Sequence, residues 1–375
     1  MNLKRREFLQ WLAIGASTAA GAACSKAPAP TVRSGLIVGG GKFIDPEAPG
    51  KGAQYTLAVV DTRHPTPQLI DIPFLPHGIA FSETDPNRLR VFEKIGPGAC
   101  EVDLATSTMT RVIANHPERF FYGHGALSKD QSLLFATETY LDSQRGVVAV
   151  RDADTLQLLG EFPTYGDNPH DCRLIEEGTV LLITNGGGSL GSQRQPSVTY
   201  VDVASKRLIE RLYLDNRELN AGHIARAQDG AIAVVSAPRK GMSEEHLGGV
   251  SLRRGKATAL VNFREPIEVV QRMRGEALSV AIHEARGVVA VTHPNGNMVS
   301  FWSILSNAFI KMLEFERPRG VTLSADSERF ILSYGRDASL IEIDADTLDP
   351  LPDTRKVATY ITGSHIYNWD IEIPA

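Results

Sequence analysis

The sequence predicts an all-β protein, a seven-bladed β-propeller whose ring is closed by N- and C-terminal strands. Three observations predict it. Short strand-like segments recur at even spacing, few stretches look helical, and a unit of about four strands repeats with a period of roughly 40 to 50 residues. Turn residues punctuate the chain throughout, with 33 glycines and 21 prolines among 375 residues.

The first segment stands outside that repeat. "KRREFLQWLAIGASTAAGAAC" has a basic start, a weakly apolar run and then small residues. The order Arg5-Arg6-Glu7-Phe8-Leu9 resembles the twin-arginine export signal, which carries folded proteins across the bacterial inner membrane. The apolar run is too short and too rich in Ala, Gly and Ser for a membrane span. Residues 1–24 are therefore expected to be a signal peptide and residues 25–34 a flexible tether. Residues 35–375 form the propeller, placed in the periplasm. Cleavage falls either after the small residues or just before Cys24. The second outcome makes Cys24 a lipid anchor, although Gly21 replaces the bulky aliphatic residue such a site uses.

Within the propeller two units alternate. One is a hairpin: "HGALSKDQSLLFATE" from His124, "HDCRLIEEGTVLLITN" from His170, "HIARAQDGAIAVVSA" from His223, "SVAIHEARGVVAVTH" from Ser279 and "GVTLSADSERFILSY" from Gly320. The other is a strand, an acidic turn and a strand, with Asp103, Asp152, Asp202 and Asp344 in the same place. Blade starts fall at His77, His124, His170, His223, Ser279, Gly320 and His365, which makes seven. The last strand, in "SHIYNWDIEIP", needs partners from "GLIVGG" and "YTLAVVD" near the N-terminus, because pairing the two ends hides free strand edges.

Composition excludes several functions. A net charge of -5 and the lack of a dense Lys/Arg cluster after the signal argue against nucleic acid. No later run is long enough to span a membrane. Apart from Cys24 only Cys100 and Cys172 remain, too few for a disulfide framework, and both read as small buried hydrophobes. "NGGGSLGSQRQPS" is followed by no helix and no Lys-Ser/Thr pair, so it is a loop and not a phosphate cradle. His283 and His293 lack metalloprotease spacing, and no Gly-x-Ser-x-Gly elbow occurs.

The histidines are the strongest functional signal. The innermost strand of each propeller blade lines the central channel, so a residue repeated at its start lies on a ring around the axis. His124, His170 and His223 are expected to share one register, because Leu133, Thr179 and Ile232 follow each by nine residues at the start of the return strand. His77 has a longer hairpin, and His365 fits by position in the last blade. Ser279 and Gly320 hold that place in blades five and six, so duplication alone does not force an imidazole. Imidazole suits zinc, copper, iron and nickel. The candidate metal ligands are thus His77, His124, His170, His223 and His365, at the channel mouth. Glu138, Asp171 and Arg226 are candidates for orienting them, and Cys172 is a weaker candidate donor. Binding is expected to weaken as pH falls through the imidazole range near 6.5.

The stretches "RFFYGHGALS", "LLFATE", "GVVAVRDADT", "GEFPTYGDNPHDCRL", "LLITNGGG" and "SVTYVDVASKRLIERL" resemble an uncharacterised bacterial family of exported propellers, known as a domain of unknown function. The resemblance runs from about Ser34 to about Tyr334. It implies a seven-bladed fold like the YVTN-type and quinoprotein amine dehydrogenase β-chain propellers. It also implies a metal-linked setting, since members are often encoded near imelysin-like periplasmic proteins of the iron-uptake type. Three functions follow: a periplasmic protein binding a transition metal, iron or copper, at a His-lined channel; an enzyme of lactonase or quinoprotein type acting on a small molecule there; or a protein-docking scaffold.

Overall fold

The computed structural model describes residues 35–44, 50, 52–64, 66–255 and 257–372. The segments expected to be a signal peptide and a tether, with Cys24, lie outside them. Seven four-stranded antiparallel sheets form a ring, six of them with strands in sequential order from axis to rim. The seven-bladed all-β fold expected from the repeat is the fold observed. Blades are numbered here by their inner strands: Pro76–Phe81, Arg119–Leu127, Pro169–Ile175, Ile224–Arg226, Val280–His283, Val321–Leu323 and Ile366–Asn368.

Blade 7 is composite. Its inner strand comes from the C-terminus and its other three, Leu36–Ile44, Ala53–Asp61 and Gln68–Asp71, from the N-terminus. Ile37 pairs with Asn368, Val38 with Tyr367 and Gly39 with Ile366. Beyond the ladder, the Gly35 amide donates to the Asp370 carboxylate at 2.8 Å. These contacts join residues more than 300 positions apart, so the ring closes only when both ends are in place.

The acidic turns work as their repetition suggests. The Asp103 carboxylate accepts the Ala105 and Thr106 amides, Asp152 those of Asp154 and Thr155, and Asp344 those of Asp346 and Thr347. Four residues after each Asp the backbone turns left-handed, at Ser107, Leu156 and Leu348. Each carboxylate replaces hydrogen bonds that the ladder loses where the third strand turns into the fourth. Alternating apolar positions then face neighbouring sheets. The buried apolar residues form seven clusters, one at each blade interface. At the interface of blades 4 and 5, Phe263 and Trp302 stack with centroids 4.4 Å apart. Cys100 and Cys172 are free and belong to two different clusters, where burial pushes both thiols up.

Candidate metal centre

Five imidazoles meet on the propeller axis. His77, His124, His170, His223 and His365 come from blades 1, 2, 3, 4 and 7. Every pair of rings except His170–His365 is in contact, with centroids between 4.0 Å (His223–His365) and 5.5 Å (His124–His170) apart. The Nε2 atom of His170 is 2.8 Å from that of His223 and 3.2 Å from that of His77, and His77 and His223 approach to 3.1 Å. One nitrogen from each of His77, His124, His223 and His365 lies within 4.8 Å of all the others.

The inner strands bring them there through local irregularities. In blades 1, 2 and 3 the inner ladder is interrupted where the histidine sits, between Pro76 and Gly78, Phe121 and Gly125, and Pro169 and Cys172. A side chain at such a bulge is aimed away from the pleat and toward the channel. Glycines permit the close approach. A Cβ on Gly78 would lie 2.3 Å from the Gly123 carbonyl, and Gly123, at φ 125°, would direct one into the His170 ring.

One expectation about register is corrected. The ring position is the residue just before the first regular pair of each inner ladder. Those pairs begin at Gly78, Gly125, Cys172, Ile224, Val280, Val321 and Ile366. The ring is therefore His77, His124, Asp171, His223, Ser279, Gly320 and His365. A repeated hydroxyl confirms the equivalence. Thr137 accepts the His124 amide, Thr184 that of Asp171, Thr292 that of Ser279 and Ser333 that of Gly320. His170 stands one residue upstream of this ring. The return strand of blade 3 starts at Val180, not Thr179.

The cluster plugs the channel, where the sequence suggested a rim. On the side where inner strands begin, an upper cavity of about 430 Å³ is lined by His170, Tyr122, Lys94 and Arg319. On the other side a lower cavity of about 890 Å³ is lined by His124, Asp171, His223 and His365. His77, His124, His170 and His223 are buried, and His365 keeps its Nε2 out of solvent.

Electrostatics keep the cluster neutral. Burial holds His77, His170, His223 and His365 well below the usual imidazole range, and neighbouring imidazoles add to the effect. His124 is held down to about 3, by burial first and then by Arg173 and Lys94. Two tautomers are fixed, because a carbonyl can only accept. Nδ1–H of His170 donates to the Tyr122 carbonyl at 3.0 Å, and Nδ1–H of His223 to that of Leu278 at 2.6 Å. Their Nε2 lone pairs then face each other across 2.8 Å, a repulsive contact unless a cation lies between them. The Nε2 atoms of His124 and His365 are buried with no hydrogen-bond partner among the described residues. Nitrogens bonded to one ion at about 2.0–2.1 Å stand about 2.9 Å apart at a right angle and about 3.4 Å apart in a tetrahedron. The 2.8–3.2 Å separations among His77, His170 and His223 lie close to that range, while the group that includes His124 and His365 spreads up to 4.8 Å.

The three companion residues separate. Asp171 is buried with an oxygen 3.6 Å from His124 Nδ1, while its other oxygen accepts the Ile224 amide at 3.1 Å. Its carboxylate thus faces the His124 ring without reaching hydrogen-bond distance. Glu138 touches no histidine of the cluster. It is buried within blade 2 between Arg119 at 2.8 Å and Arg151 at 2.9 Å. Arg226 lines the lower cavity and pairs with Glu176 at 2.6 Å. Cys172, whose side chain joins the apolar cluster between blades 2 and 3, is not among the grouped donors. The backbone carbonyls of Tyr122 and Leu278 escaped sequence reasoning, since a main-chain acceptor leaves no residue-type signal. Arg319 also escaped it. Its signal was its place directly before the blade start at Gly320.

Comparison with known proteins adds the following. The sequence model of a family described as "Protein of unknown function (DUF1513)" matches residues 70–360. No curated protein matches the chain. Among solved structures, hydrazine synthase from Kuenenia stuttgartiensis is similar in fold. Its TM-score is 0.61 at 14% identity, over 79% of this chain and 93% of that one.

Proposed function

The chain belongs to the DUF1513 family of proteins of unknown function, and from the geometry of its axis we propose that it binds a single transition-metal ion in the histidine plug. The carrying observation is the set of buried imidazole nitrogens of His77, His170 and His223 facing one another at 2.8–3.2 Å, with the tautomers of His170 and His223 fixed. His77, His124, His223 and His365 supply ring ligands, His170 a fifth from one level above, and Asp171 faces His124.

The ion we favour is iron or copper, handled in the periplasm after twin-arginine export. Imidazole-only donation suits either metal. The resemblance to exported propellers encoded near imelysin-type iron-uptake proteins supports both the compartment and the class of partner. The test is metal analysis of protein purified from its native host, followed by equilibrium dialysis against Fe(II), Cu(II) and Zn(II). The expected result is one ion per chain, with iron or copper retained on purification.

A second reading, an enzyme of lactonase or quinoprotein type, is favoured by the lower cavity. Its volume of about 890 Å³ suits a small molecule, and His124, His223 and His365 form its roof. Metal-dependent turnover of lactones or amines would support it.

A further inference from the structure

The residues one step upstream of the ring form a second tier, from which His170, Gly222 and Arg319 line the upper cavity. In blade order they are Pro76, Gly123, His170, Gly222, Leu278, Arg319 and Ser364. Only blades 3 and 6, on roughly opposite sides of the axis, place a long polar side chain there. His170 belongs to the metal cluster. Arg319 has no such employment. Its Nε donates weakly to the Gly363 carbonyl at 3.4 Å, and its two terminal nitrogens make no hydrogen bond among the described residues. Both residues line the same cavity of about 430 Å³.

The charges around that cavity are unbalanced toward the positive. Lys94 binds Glu276 at 2.9 Å, and Arg319 also feels Glu276, so two cations share one carboxylate. Arg239 is spent on the carbonyls of Gly188, Arg217, Ser192 and Arg194. Glu244 is exposed at the margin. A free guanidinium fork at a partly closed polar cavity is suited to a planar, two-oxygen anion.

We infer that the upper cavity is a carboxylate site: a small carboxylic acid anion places one oxygen on the ion held by the histidines and the other against Arg319, with Lys94 beside it. His170 then marks the side from which the ligand reaches the ion. The inference rests on the metal reading above, and one experiment separates their failures.

The full chain is loaded with Co(II), whose loading is measured by dialysis, and titrated with acetate while the visible cobalt bands are followed. A chain that takes up no Co(II) contradicts the metal reading. With Co(II) bound, acetate should shift the bands saturably. Arg319→Gln should raise the apparent dissociation constant about tenfold without changing Co(II) uptake, and Lys94→Gln should raise it by a smaller factor. Bands that ignore acetate, or that titrate alike in the parent and Arg319→Gln, overturn the carboxylate site. If Arg319→Gln does not fold, Lys94→Gln decides, and an unchanged titration there overturns the proposal.

Discussion

Replacing His223 with Ala removes the nitrogen that lies within 3.1 Å of both His77 and His170. Loss of an outer-shell partner alone costs about 10- to 100-fold in metal affinity, so loss of this ligand should cost at least about 100-fold, read by chelator competition. The side chain is buried, so Ala also opens a void. His223→Gln keeps most of the volume and separates the two effects. Protonation gives a second residue-scale test. The five folded imidazoles have values below 6.5, whereas in the unfolded chain they return to about 6.5. The unfolded chain therefore binds protons first. The metal-free fold keeps its full stability above about pH 6.5 and loses it as pH falls through the lowered values, toward about 3 for His124. Melting of metal-free protein should show a midpoint that drops steadily from about pH 6.5 to about pH 4, with a shallower drop in His77→Gln. Metal affinity should likewise hold below pH 6.5, lower than the sequence alone suggested, because burial was not readable from spacing. Glu138 gives the control. Glu138→Ala leaves the buried Arg151 without its carboxylate and Arg119 with Glu161 alone, and breaking a buried pair costs about 3–5 kcal/mol. Denaturation should show that loss while the metal affinity stays within about twofold.

At the scale of strands and blades, the repeat was legible because each blade must bury the same faces. Hairpin length and the acidic turn recur with it. The blade starts at His77, His124, His223 and His365 followed from that periodicity. His170 shows where it failed. Asn168, with φ 49°, and the broken ladder after Pro169 insert one residue, which moves Asp171 into the ring and lifts His170 above it. A one-residue bulge leaves no mark in residue type where His170 and Asp171 are adjacent polar residues, either of which could hold the ring position. Glu138 misled for a related reason: its distance from His124 along the chain said nothing of Arg119 and Arg151 across the blade. The closing strand offers the element-scale test. Deleting residues after Gly363 removes Ile366–Asn368, exposes the Leu36–Ile44 edge and takes His365 with it. The truncated chain should melt at lower temperature, aggregate and bind metal more weakly, which calorimetry and light scattering would record. A truncation as stable as the parent would contradict closure by these strands.

Across the whole molecule, the two cavities meet at a plug of imidazole, so the axis is the one line along which every blade but the fifth and sixth contributes a nitrogen donor. The proposed compartment is tested separately. Arg5→Lys together with Arg6→Lys should hold the protein in the cytoplasm on fractionation, and secretion of that variant would refute the twin-arginine route. The central claim is tested most directly by titrating purified full chain and a His77→Ala/His223→Ala/His365→Ala variant with Fe(II), Cu(II) and Zn(II) under identical conditions. The account predicts one tight ion per parent chain, bound through nitrogens at about 2.0–2.1 Å in X-ray absorption, and no tight ion in the folded variant. A folded variant that binds all three metals as tightly as the parent would contradict it.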